Sequence, residues 1–305
     1  MILIITHKDD YTADYVIDKL NTSAIPYFRF NCEDYLTNNL TLQFGEQESS
    51  IINGCSEFTS VWYRRTRLPD VKAKNEGERI YLLNEMDVFM SNLFGIIKTK
   101  WLSNPVAVST AENKFLQLSL AKRLGFNVPK TLVTTDKKAL MSFIKINKNT
   151  VIKPIGRGRI DYADNTSKLI FTNIITEQVI NEIESFELTP AIYQEYIEKE
   201  YELRVTVVGK DIFAASVDSQ SKEESLVDWR REKIKFEHYN LPEDLKGKCL
   251  SLLEMLKISY GAFDFVKGKN GLYYFLEVNP NGQWVWIEKD TGQLISESII
   301  KFLTC

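Results

Sequence analysis

The segment FLEVNPNGQW, residues 275–284, begins like a buried strand and then departs from that pattern. Glu277 and Asn279 stand two positions apart, so an extended chain carries both side chains on one face. Just upstream, GAFDFVKG (261–268) and LYYFLEVN (272–279) flank KGKNG, a turn sequence, and the two segments are expected to pair as a hairpin with Asp264 opposite the Glu277 region. Asp264, Glu277 and Asn279 would then offer hard oxygen ligands on adjacent strands. That set suits magnesium held through a few side chains while phosphate oxygens and water complete its shell. Buried among Phe263, Phe265, Tyr274 and Phe275, such groups would repel one another without a cation. The plainer alternative is that strand ends commonly carry Asp, Glu and Asn as caps and turn formers. The polar run continuing through Pro280, Asn281 and Gly282 favours the metal reading.

Composition limits the rest. With 305 residues, 44% apolar and 26% charged, the chain has room for two or three small domains around real cores, and it has no apolar run long enough to span a bilayer. The opening MILIITHKDD lacks a basic leader and reads as a first strand, which makes the cytoplasm the expected location. Cys32, Cys55, Cys249 and Cys305 stand far apart without CxxC spacing, which argues against zinc and against a disulfide framework. A net charge of −3 is no footprint for nucleic acid, so neither nucleic acid nor membrane is an expected partner.

Hydrophobic periodicity divides the chain into three units. Residues 1–105 open as β-α, with Val16, Ile17 and Leu20 on one helical face, followed by strands in IPYFRF, TLQF and FTSVWYRR and a long helix over 76–100. SNPVAVST reads as a hinge in which Pro105 breaks any helix and Ser109 with Glu112 forms a capping box for a helix over 112–125. Residues 106–190 alternate strand KTLVTT, helix DKKALMSFIKIN, strand TVIKP, a glycine loop, strand KLIFTN and helix TEQVINEIESFE. Residues 191–305 change to hairpins, an antiparallel sheet interrupted by one helix over 242–259 and by the polar, aperiodic segment 219–240.

Other stretches carry chemistry more weakly. VIKPIGRGR (151–159) ends a strand on Lys153 and follows with Gly156 and Gly158, where backbone amides could approach phosphate oxygens; a glycine hairpin beside a surface lysine is the commoner explanation. Lys114, at the start of the preceding helix, adds a second cation. In YQEYIEKEYELRV (193–205), backbone near Glu195 and Ile197 could read an adenine ring and Glu202 could take ribose hydroxyls, though an ordinary solvated hairpin explains the spacing equally. Arg204 alternates onto the polar face of its strand, where a guanidinium can grip a carboxylate or phosphate. DWRR (228–231) and VWYRRTR (61–67) add cationic clusters of a kind more often found in surface salt bridges.

The order Lys114, VIKPIGRG, YQEYI, ELRVTVVG, AFDF and FLEVNPNG resembles the ATP-grasp ligases over nearly the whole chain. The opening ILIITHKDDYTADYVIDKL, VWYRRTR, DWRR and NPNGQWVWIE look like the graspetide synthetases within that superfamily, which cross-link microviridin-type ribosomal peptides. The resemblance implies an α/β (α+β) ATP-grasp fold with an N-terminal α/β pre-ATP-grasp domain, a small central domain and a C-terminal antiparallel-sheet domain. It implies ATP and two Mg2+ as cofactors: Lys114, Lys153, Gly156 and Gly158 would meet the phosphates, Gln194, Glu195, Ile197 and Glu202 the nucleoside, and Asp264, Glu277 and Asn279 the metal. Arg204 and Lys153 would be catalytic, with Arg204, Arg65, Trp229 and Arg230 toward the substrate and the 219–240 segment ordering around it. An aspartate usually precedes that arginine by two positions in this family, whereas here Glu202 does, which leaves its contact open. The implied reaction phosphorylates an Asp or Glu side chain of a precursor peptide and couples it to a Thr or Ser hydroxyl or a Lys amine. The implied partners are that peptide and a second copy of the chain, with the helix near 78–99 as a candidate dimer surface. Competing readings are a ligase that adds free amino acids to a peptide or small acid, like glutamate ligases or glutathione synthetase, and a non-catalytic binding protein.

Overall fold

The computed structural model describes residues 1–44, 49–55, 57–147, 149–156, 158–162, 166–185 and 187–305. Its first sheet is parallel, in the order Tyr27–Asn31, Ile2–Thr6, Ser60–Tyr63, Lys100–Trp101. All five residues of Ile2–Thr6 are buried, as befits a parallel strand covered on both faces and written as a continuous apolar run. Alternation sends its side chains into two different cores. Leu3 and Ile5 pack with Met90, Leu93 and Phe94 of the helix Glu76–Ile96. Ile2 and Ile4 pack with Val16, Ile17 and Leu20 of the helix Tyr11–Thr22, and also with Val285, Ile295 and Ile299.

Those last residues belong to helices Val285–Thr291 and Ile295–Thr304, elements the sequence reading did not assign. They close the first sheet from the far end of the chain: Ser60 Oγ donates to the Leu303 carbonyl at 2.7 Å, and Lys19 pairs with Glu288 at 3.0 Å. The first hundred residues therefore form the expected α/β unit, but one face of its core is completed by the C-terminal end.

The expected hinge takes a different form. Pro105 opens the helix Pro105–Ala111 instead of breaking one, because a first-turn residue needs no donor and Asn104 accepts from the Val106 amide as the cap. Ser109 lies inside that helix, so there is no capping box with Glu112; Asn113 caps the next helix, Lys114–Arg123, by accepting from Phe115 and Leu116. Gly125, at φ +76°, ends it as expected.

A second sheet is antiparallel, in the order Asn173–Ile174, Thr150–Lys153, Ala191–Glu195, Thr131–Thr134, and the helix Lys137–Ile146 packs Leu140 and Ile144 against Ala191 and Tyr193. The stretch KLIFTN is not one strand: Ser167–Leu169 pairs with Arg159–Asp161 in a small hairpin, and Asn173–Ile174 joins the main sheet. The helix expected over 176–187 is shorter, Glu177–Asn181 followed by a 3-10 turn Ile183–Ser185. The third sheet runs Glu237–His238, Asp211–Val217, Lys199–Val208, Tyr260–Gly268, Tyr273–Asn279, all antiparallel, over the helix Glu243–Met255. Among the described residues no helix is long and apolar enough to cross a membrane.

One buried ion pair fastens the first sheet to its helix. Arg64 and Asp10 side chains are 2% and 1% exposed and meet at 3.2 Å, while Asp10 also accepts from Thr6 Oγ1 at 2.7 Å and caps Thr12 and Ala13. Burial pushes the Asp10 pKa up, but Arg64, Thr6 and the helix amides win and hold it down at about 2. That lies below an unfolded value of roughly 4, so the carboxylate contributes about 2 kcal/mol that is present above that pH and lost as pH falls toward the folded value. Asp10→Asn is expected to destabilise by about 3–5 kcal/mol at neutral pH, because Arg64 loses its partner. Urea unfolding at pH 7 and pH 3 checks this, and the gap to wild type should narrow at the lower pH.

Candidate active site

Three neighbouring strands place Arg204, Asp264 and Glu277 side by side in one row: Arg204 is the cross-strand partner of Asp264, which is in turn the partner of Glu277. Arg204 Nη1 donates to both Asp264 oxygens at 2.8 Å, and Nη2 donates to the Gln283 carbonyl at 3.2 Å. The geometry differs from the expected environment in one respect. Phe263, Phe265 and Phe275 stack on one another in the core beneath the sheet, on the face opposite the acids. A β-bulge explains it. Asp264 pairs with Glu277 but Phe265 pairs with Phe275, so Leu276 is the extra residue. Without it, alternation would aim Phe275 and Glu277 the same way; with it, Phe275 and Val278 enter the core while Glu277 and Asn279 face the site.

Asn279 Nδ2 donates to Asp264 Oδ2 at 3.1 Å and to Glu277 Oε1 at 3.3 Å, so an amide N–H sits between two carboxylates. Burial and the Glu277 charge push the Asp264 pKa up against the pull of Arg204, whereas Lys114 and Lys153 hold Glu277 below its usual range in spite of burial. This donor set fits Mg2+. Two hard carboxylates converge, and turning the Asn279 amide over would present its oxygen to an ion in place of its N–H donors. Among the described residues no three His, Cys, Asp or Glu side chains form a metal cage, so phosphate oxygens and water would have to complete the shell.

Two lysines face this row, Lys114 from the start of the helix Lys114–Arg123 and Lys153 from the end of a strand of the second sheet. Lys114 Nζ lies 3.3 Å from Glu277 Oε2 and donates to the Pro154 carbonyl at 3.3 Å. Lys153 Nζ donates to Gln194 Oε1 at 2.7 Å; burial lowers its pKa to about 8, with Glu277 and Glu202 pulling it back up. Beside it, Gly158 has φ +60° and no room for a side chain, since a Cβ would lie 2.8 Å from both the Ile170 carbonyl and Pro154 Cγ. Gly156 is exposed; Arg157, within the expected glycine loop 156–159, lies outside the described residues. The Glu195 amide donates to the Lys130 carbonyl and the Tyr196 amide to the Asn149 carbonyl, while Ile197, half-buried, follows the strand end.

Glu202 has a partner that the sequence did not indicate. Lys199, 4% exposed, donates to its Oε1 at 2.6 Å. Lys199 and Glu202 share a face because a second register shift falls between Lys199 and Tyr201, and plain alternation would have separated them. The 219–240 segment forms 3-10 turns Glu223–Ser225 and Trp229–Arg231, and Trp229 packs on Phe236 at 5.1 Å. Arg230 forks onto Asp228 at 2.5 and 2.8 Å, and Asp228 and Arg231 bond the backbone of Thr172 in the second unit. Asp228 and Lys199 were missed from sequence, where nothing but the charge of each gave a signal. Of the VWYRRTR cluster, Arg64 turns inward to Asp10 and Arg65 outward to a cavity beside Gln283.

Comparison with known proteins gives the family and the fold. Residues 111–303, more than half the chain, match the RimK-like ATP-grasp domain, and residues 1–108 match the MvdD pre-ATP grasp domain. A RiPP-associated ATP-grasp ligase of Chryseobacterium gregarium, solved with ADP and a leader and core peptide, superposes with a TM-score of 0.89 at 29% identity, covering 99% of this chain and 96% of that one. The macrocyclase MdnC of Microcystis aeruginosa MRC, bound with precursor peptide MdnA, gives 0.89 at 28% identity over 99% of each chain. An uncharacterized protein of Methanocaldococcus jannaschii is 33% identical over 96 residues, 31% of this chain but only 22% of that protein's length.

Gly282 tests the packing of the row. A Cβ there would lie 2.5 Å from Ala262 Cβ and 2.8 Å from Arg204 Nη2. Gly282→Ala should therefore cost about 1–3 kcal/mol in urea unfolding through forced displacement of Arg204 or the loop, whereas a neutral result would show that the loop relaxes freely.

Proposed function

Because the chain belongs to the RimK-like ATP-grasp family, we propose that it is an ADP-forming ligase acting on a ribosomally made precursor peptide, activating Asp or Glu side chains and closing macrocyclic esters with Thr or Ser or amides with Lys. The observation that carries this reading is the row Arg204–Asp264–Glu277 facing Lys114 and Lys153 across two sheets. The two solved ligases cited above were captured with peptides, which favours a peptide over a free amino acid as the partner.

The chemistry joins two anions, a carboxylate and a triphosphate, so positioning and charge neutralisation supply most of the acceleration. Asp264, Glu277 and Asn279 would hold Mg2+, which would supply positive charge to offset that of the phosphates. Lys114, from its helix, and Lys153, from the second sheet, orient the phosphates; burial lowers the Lys153 pKa to about 8, which still leaves it chiefly cationic at neutral pH, and arriving anions favour that charge further. The loop around Gly156 and Gly158 covers them and limits the access of water, because an acyl phosphate captured by water is lost to hydrolysis. Gln194, Glu195 and Ile197 flank the nucleoside at the strand end Ala191–Glu195. Arg204, Arg65, Trp229 and Arg230 lie on the substrate side, Arg204 joining Asp264 to whatever carboxylate approaches. Residues 1–105, 106–190 and 191–305 are taken as three functional units, with catalysis at the seam of the last two. The reading places the enzyme in the cytoplasm beside ATP and newly made peptide, as a homodimer; exposed Ile80, Tyr81 and Val88 on the helix Glu76–Ile96 support a partner surface there.

Co-expression with short peptides encoded beside the gene, followed by mass spectrometry, tests the reaction. One water lost per ring is expected, whereas a mass gain equal to an amino-acid residue would replace macrocyclisation by amino-acid addition. In calorimetry with a non-hydrolysable ATP analogue, Mg2+ should tighten wild-type binding, and the pair Asp264→Asn with Glu277→Gln should reduce that gain by about tenfold or more. Equal Mg2+ dependence in the variant would remove these residues from the metal site.

A further inference from the structure

A cavity of about 420 Å³ lies between the start of the helix Tyr11–Thr22, the segment at Arg65 and Arg67, and the loop leading into the helix Val285–Thr291. It adjoins the acidic row through a single residue. Gln283 accepts from Arg204 through its carbonyl, while its side chain lines the cavity and meets Thr12 and Arg64. Three cations, Arg65, Arg67 and Lys289, stand on the wall. Of the two wall acids, Asp10 is neutralised by buried Arg64, and Asp9 sits at the rim, 78% exposed and paired with Arg67 at 3.0 Å. The positive end of the 12-residue helix points the same way.

The cavity also has a nearly buried imidazole on its wall. His7 lines it, is only 6% exposed, and its Nδ1 is buried without a partner. Burial, with help from Arg67, pulls the His7 pKa down against the nearby Asp10, Glu33 and Asp9, so the ring is neutral at pH 7. With Nδ1 sealed, Nε2 is the nitrogen left to meet an incoming acceptor. Tyr11 and Trp286 give apolar walls on which methylenes can lie.

We propose that this cavity binds an acidic side chain of the substrate peptide, a second carboxylate held one residue's width from the reaction centre, so that it sets which Asp or Glu is activated. The inference rests on the ligase reading for its occupant, but not for its test. The net positive wall, a neutral imidazole donor and a single rim acid suit a singly charged carboxylate better than a dianion.

The chain has two histidines, His7 and His238, so ¹⁵N-histidine spectra of the full-length protein resolve the site directly, with His7→Gln as the assignment control. The probe is N-acetyl-glutamate amide at constant ionic strength, compared with N-acetyl-glutamine amide and with inorganic phosphate. The expected result is a saturable shift of His7 alone with the glutamate derivative, with a raised His7 pKa, since a nearby anion favours imidazolium. The exposed pair Arg67→Gln with Lys289→Gln should weaken that response by about tenfold or more. A silent His7, an equal shift with the glutamine analogue, a response to phosphate alone, or an unaltered double variant would each overturn the proposal. The readout requires neither ATP nor turnover. Rings formed while His7 stays silent would reject the cavity alone, and a His7 response without rings would keep the cavity and reject the ligase.

Discussion

Two carboxylates, Asp264 and Glu277, face each other across adjacent strands in a largely enclosed setting, and the architecture around them is a set of devices for making that tolerable. Like charges at such range disfavour joint ionisation unless cations stand beside them. Arg204 serves one carboxylate from the same sheet; Lys114 serves the other from the opposing unit; Asn279 inserts N–H donors between them. A site that gathers positive groups around two acids is also one that welcomes a divalent ion and a polyphosphate, because each replaces a compensating partner already required by the fold.

The site depends on parts that are remote in sequence. Lys114 and Lys153 come from the central unit, the acids from the final hairpin, and Gln283 connects the row to a cavity whose other wall is the first helix. The segment around Asp228 and Arg231 bonds the backbone of Thr172, tying the third unit to the edge of the second. The last two helices complete the core under the first sheet, so the end of the chain fixes where the beginning sits. The acidic row and the cavity beside it are thereby held to one frame.

Much of this was legible in the residues taken in order. The apolar run Ile2–Ile5, the 3.6-residue periodicity of Tyr11–Thr22, and the turn KGKNG between two strands are local signals, and each produced the element expected. The turn alone placed Asp264 opposite the Glu277 region, and the bulge at Leu276 made Glu277 itself its partner. Local signals failed where two local rules competed. Pro105 could break a helix or begin one, and Asn104 decided for beginning; Ser109 and Asn113 both could cap, and Asn113 did.

The chemistry-bearing types Asp, Glu, Asn, Lys and Arg, and their order along the chain, were thus determined by sequence. Which of them touch was decided by tertiary structure, because a strand has a fixed period of two and only a long-range pairing can insert an extra residue into it. The bulge at Leu276 separates Phe275 from Glu277, and the shift beside Lys199 joins it to Glu202. His7 likewise becomes a buried, unpartnered ring beside a cationic cavity only when the loop after Asn279 and the segment after Tyr63 close over it.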